Sequence, residues 1–204
     1  MAEFPSGVYN PRTKENKTDV VYTPAKKTLT FAEDITKLDD EVVAIENFLL
    51  PQYIFSHVDN TIAVASAGVF VDIPFDEGEA SPKIGIEQDH TTDPEEFTIT
   101  KAGVYLINFT ASFSDSAISP DSHIIIRIVK NGDEIHGSLL EKDIAGTPQS
   151  AKDKTITNSI LVTLAVDDIV KFQFTADDTT VSLASHATYG DHKDTAVINI
   201  IKIG

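Results

Sequence analysis

The sequence predicts a mainly β chain, a β-sandwich or jelly-roll head over 51–204, carried on a short coiled-coil helix over 30–50 and an extended arm over 1–29. Three observations predict this. Apolar residues alternate with polar ones in many short segments after Pro51, the period-2 pattern of half-buried strands. Phe31, Ile35, Leu38, Val42, Ile45 and Leu49 repeat at spacings of four and three, the a/d pattern of a coiled coil. Residues 1–29 have no period and are interrupted by Pro5, Pro11 and Pro24.

The arm carries the aromatic residues Phe4, Tyr9 and Tyr22 among Lys, Thr and Asn. Two readings stand for it. It is a solvated leader, or a segment that orders on a larger surface with those three aromatics as anchors.

The helix has clear ends. Thr30 is a good N-cap, Glu33 completes a capping box, and Pro51 stops the helix. About twenty residues at a rise of 1.5 Å give a stalk roughly 30 Å long. An apolar stripe this narrow fits a partner helix better than a broad β surface. The alternative is a helix packed on its own β domain. Asp34, Asp39, Glu41 and Glu46 flank the seam, so like charges weaken it and the stalk depends on the head for assembly.

Beyond Pro51 the pattern predicts strands over 53–58, 61–65, 68–74, 96–100, 103–113, 123–130, 133–140, 155–165, 168–176, 179–185 and 195–203. Asn131-Gly132 lies between two apolar runs and predicts a type I′ hairpin. Asp167-Asp168 and Asp177-Asp178 predict tight turns. Short strands with regular turns over some 150 residues indicate a sandwich or jelly roll.

Composition narrows the function classes. The 204 residues contain no cysteine, which excludes a disulfide scaffold and thiolate metal sites. The net charge is −16, and the head carries most of it, which argues against binding nucleic-acid phosphates. No apolar run is long enough to span a membrane, and the first residues lack the apolar core of a signal peptide. No G-x-S-x-G, phosphate-binding glycine loop or H-E-x-x-H occurs. The six histidines, at 57, 90, 123, 136, 186 and 192, include no pair at helical ligand spacing. Acids at 76–79 and 93–96 lack the spacing of an EF-hand. The chain therefore reads as a non-enzyme without cofactor or metal.

The stretches FTITKAGVYLINFTASFS, HIIIRIVKNGDEI, SILVTLAVDDIVKFQF and AVINIIKIG resemble strands B to H of the tumour necrosis factor and complement globular-head superfamily. That resemblance covers about 65–204 and implies a ten-stranded jelly roll assembled as a homotrimer. The secreted members often carry cysteines or a collagen stalk, and this chain has neither. The stretch 4–46 is similar to the leader of tailed-bacteriophage virion proteins, which attaches a fibre or decoration protein to the particle.

Together the two resemblances imply a virion protein, made in the host cytoplasm. It would be a homotrimeric capsid decoration protein or head fibre, bound through its arm to capsid or tail proteins. The alternative is a tail-fibre receptor-binding or glycan-binding module, with a depolymerase ranked last. In the implied sandwich, strands A, H, C and F lie side by side. The loops near 114–122, 141–154 and 186–194 then share the tip. They bring Asp115, Asp121, Tyr189, Asp191, His192 and Asp194 to an expected ligand-binding face for a host glycan or protein.

Overall fold

The computed structural model describes residues 36–43, 45, 51–76, 83–117, 121–144, 152–184 and 194–204. The chain divides into two units at the Leu50–Pro51 junction. In the first, residues 36–43 and 45 are helical, and Leu38, Val42 and Ile45 are exposed. The remaining seam positions Phe31, Ile35 and Leu49, the cap at Thr30 and the arm lie outside the described residues.

The second unit is a sandwich of two antiparallel sheets. Its strands are β1 (Tyr53–Val58), β2 (Ile62–Ala63), β3 (Val71–Asp72), β4 (Lys83–Ile84), β5 (Ile86–Asp89), β6 (Asp93–Ile99) and β7 (Gly103–Asp115). They continue with β8 (Ser122–Lys130), β9 (Asp133–Glu134), β10 (Leu140–Ile144), β11 (Lys152–Leu164), β12 (Ile169–Ala176), β13 (Val181–Leu183) and β14 (Ala196–Lys202). The first sheet runs β4-β1-β14-β7-β11. β11 occupies one edge of β7 along its length, so β13 shares the other edge with β14, and β2 lies outside β13. The second sheet runs β5-β6-β12-β8-β10, with β3 on β12 and β9 on β8. The order β1-β14-β7-β11 is the A-H-C-F arrangement implied by the resemblance.

Alternation decides which side chains meet between the sheets. In β7 the odd positions Tyr105, Ile107, Phe109, Ala111 and Phe113 are buried, facing Phe172 and Phe174 of β12. Phe75, Phe97 and Phe109 surround Phe172 with ring centroids 5.1–5.7 Å away. Edge and tilted contacts of this kind add to the apolar burial that drives folding. Tyr105 sits at the rim of this core. Its hydroxyl donates to Lys101 O at 2.6 Å, and burial pushes its pKa up to about 12.

The turns expected at Asn131-Gly132 and Asp167-Asp168 are present. Asn131 (φ 53°) and Gly132 (φ 90°) form the hairpin turn from β8 to β9. Asp167 (φ 66°) turns β11 into β12. The expected strand over 133–140 is instead two, β9 and β10, separated at Gly137, whose φ of 84° breaks the extended run. The pair β4 and β5 was not expected. It is joined at Gly85 (φ 69°), where a Cβ would overlap Gln52 Oε1.

The two ends of the sandwich differ. Pro51, Gly103, Leu164 and the C-terminus lie at one end, as the pairs Tyr53–Ile201 and Gly103–Leu164 require. The pairs Asp115–Lys152, Ser122–Ile144 and Val58–Ala196 mark the far end.

Candidate self-association surface

Among the described residues, the outer face of the first sheet is set apart by its lack of charge. Its residues come into line only through strand register. Ile84, Tyr53, Ile201, Leu106 and Leu161 form one row across five strands. Leu161 is 64% exposed and Ile84 39%. Val104, Ile203 and Phe55 extend this apolar area, each at least 36% exposed. Toward the far end the rows become polar and uncharged. Ser159 Oγ donates to Asn108 Oδ1 at 2.8 Å, and the hydroxyl pairs Thr110–Thr157 and Ser112–Thr155 lie 3.3 and 3.2 Å apart.

The outward positions of β1, β14, β7 from Val104 to Ser112 and β11 from Thr155 to Thr163 include no Asp, Glu, Lys or Arg. In a chain with 24% charged residues, this is a strong local depletion. Depletion of charge with retention of aromatic and aliphatic residues is the signature of an interface core.

The other sheet shows the contrast. Its outer face holds Lys171 within 2.7 Å of Glu96, 3.5 Å of Glu95 and 3.6 Å of Asp72. Burial works against the Lys171 charge, but these carboxylates outweigh it and hold the ammonium above the ordinary lysine range. Arg127 lies 3.7 Å over the Phe70 ring and donates from Nε to Gln173 Oε1 at 2.8 Å. The edges differ in the same way. β10 and β5 carry Glu141, Lys142, Asp143, Glu87 and Asp89, charges that discourage pairing with another chain. β11 has no strand on its outer edge among the described residues, and Thr155–Thr163 is uncharged.

A groove of about 470 Å³ lies beside β5 and β6, lined by Lys83, Glu87, Gln88, Asp89, Asp93, Glu96 and Thr98. Three of its charged residues have internal partners. Lys83 Nζ donates to Gln88 O at 2.9 Å, and Glu96 pairs with Lys171. Asp89 accepts the amides of Thr91 and Thr92, which hold its carboxyl below the usual range. Among the described residues no group of three or more histidine or carboxylate side chains converges as a metal site.

The expected tip residues divide. Asp115 is a correction: it is fully buried, not presented to a ligand. Its carboxylate accepts Ala117 N at 2.8 Å and the hydroxyls of Ser122 and Thr180 at 2.7 Å, tying β7, β8 and the turn before β13 together. Asp121 is exposed. Asp194 is exposed, with Oδ1 3.0 Å from His57 Nδ1, although that nitrogen makes no aligned hydrogen bond. Tyr189, Asp191 and His192, and the anchors Phe4, Tyr9 and Tyr22, lie outside the described residues. The expected loop over 141–154 is shorter, because 141–144 belong to β10 and 152–154 to β11.

No protein-family model matches the chain, and no curated protein matches it. Among solved structures it is similar to murine APRIL, in crystals at pH 8.0 and at pH 5.0. Each likeness has 10% identity and a TM-score of 0.46, and covers 76% of this chain and all of the APRIL chain.

Proposed function

We propose that this chain is a homotrimeric structural protein of a bacteriophage particle, a capsid decoration protein or head fibre attached through residues 1–29. The observation that carries self-association is the uncharged, partly apolar outer face of the first sheet. A monomer in water gains nothing by leaving Leu161, Ile203 and Ile84 uncovered while its other sheet is covered in ion pairs. The heptad spacing of Leu38, Val42 and Ile45 in the helix supports the same reading, since a narrow seam suits partner helices. The number three and the virion setting rest on the two sequence resemblances.

In this reading the arm is the attachment element, with Phe4, Tyr9 and Tyr22 as anchors. The head decorates the particle and stiffens the assembly. No turnover is expected from it.

The experiment is a pair of measurements on the chain with and without residues 1–29. Both forms should sediment as trimers. Only the full chain should copurify with particles of the phage that encodes it. Particle binding that survives the deletion would refute the attachment role, and a stable monomer would refute the assembly.

A further inference from the structure

We propose that His123 is a pH-operated latch that holds the edge strand β10 against β8 at the far end of the head. β10 is the outermost strand of its sheet and fully buries only Ile144. Glu141, Lys142 and Asp143 are exposed, so apolar packing holds this strand weakly. Asp143 stands opposite His123 in the ladder. The imidazole Nδ1 lies 2.7 Å from Asp143 Oδ1, and Nε2 lies 3.6 Å from Glu141 Oε2. From the other side, His123 N donates to Asp177 Oδ1 at 2.7 Å, and Asp177 N donates to His123 O at 3.1 Å.

One imidazole therefore stands among three carboxylates from two neighbouring elements. Among the described residues none of the three pairs with lysine or arginine. A protonated ring presents a hydrogen to both Asp143 and Glu141 and neutralises part of their charge. A neutral ring keeps one hydrogen and leaves the neighbouring Asp143 and Glu141 carboxylates of β10 without a counter-charge between them. The repulsion falls on β10, the least buried of the strands involved.

The direction of the effect follows from the contacts. The Asp143 hydrogen bond, against some loss of solvation, keeps His123 protonated to higher pH than an ordinary histidine. The latch is fully closed below the unfolded histidine value of roughly 6.5 and opens as pH rises through the higher folded value. Opening bares the edge of β8 from Ser122 to Ile126, a ready template for another strand.

Hydrogen exchange on the full chain between pH 5.5 and 8.5 tests this. Amide protection in β10 is divided by that in β12, after correction for base-catalysed intrinsic exchange. The ratio should fall roughly two- to fivefold with rising pH, the range of a surface ion pair. His123→Gln should show the low ratio throughout, and His123→Lys, charged at every pH tested, should keep the high one. A flat ratio in the unaltered chain, or a fall that survives in either variant, would overturn the latch.

Discussion

If the chain assembles through this face as proposed, Leu161→Asp should dissociate the trimer without unfolding the head. Leu161 stands at the β11 end of the apolar row and is 64% exposed in the single chain. Fully burying a leucine side chain contributes roughly 1.5–3 kcal/mol, so covering the exposed part contributes roughly 1–2 kcal/mol per copy. Three copies lose roughly 3–6 kcal/mol of apolar contact. Placing a carboxylate in the interface adds a desolvation cost of several kcal/mol per copy. At about 1.4 kcal/mol per factor of ten, the first contribution alone weakens the trimer by roughly a hundredfold or more. In the separate chain the side chain faces water, and the substitution should cost about 1 kcal/mol or less. The assay is sedimentation velocity at micromolar concentration beside far-UV circular dichroism, with Leu161→Thr as the milder, β-compatible variant. Both variants remaining at the unaltered mass, with native spectra, would refute the interface assignment.

Three further outcomes follow from the interior and the turns. Asp168→Asn should lower stability by roughly 1.5–3 kcal/mol at neutral pH, the range for hydrogen bonds to a charged group, measured by denaturant unfolding. Burial opposes the Asp168 charge, but Ala165 N, Asn131 Nδ2 and the Lys130 ammonium outweigh it and lower its pKa. Its contribution is therefore present above the ordinary carboxylate pKa and lost as pH falls through the lower folded value, so the Asn variant should show a shallower acid limb. Asp115→Ala should cost roughly 2–4 kcal/mol by leaving three donors without their acceptor, and a cost under 0.5 kcal/mol would contradict its structural role. Gly85→Ala should cost roughly 1–3 kcal/mol, because φ of 69° and the Gln52 side chain both oppose a Cβ, and thermal unfolding checks it.

Much of the fold was legible because alternation is a local signal. The run from Gly103 to Phe113 shows its own phase, and Asn131-Gly132 shows its own turn. That same phase contained the sign of Asp115's burial. Odd positions of β7 point inward from Tyr105 to Phe113, and Asp115 is the next odd position. The strand therefore runs two residues past Phe113, to Asp115. β10 was misplaced because the apolar residues at 135 and 139–140 outweighed Gly137 as a turn residue. β4 and β5 were missed because Lys83–Asp89 is short, acidic and divided by Gly85.

The outer face of the first sheet was not legible at all. Tyr53, Ile201, Leu106 and Leu161 belong to four strands far apart in sequence, and only their register makes them neighbours. Each alone is an ordinary surface apolar residue. The helix shows the opposite case, since its seam lies within one segment and the heptad spacing is visible without any tertiary contact.

Self-association is tested most directly by sedimentation equilibrium of the 204-residue chain at micromolar concentration. A trimer gives three times the chain mass of 22.2 kDa, unchanged across a tenfold dilution. A single species at 22.2 kDa would contradict the assembly and with it the reading of the uncharged sheet face.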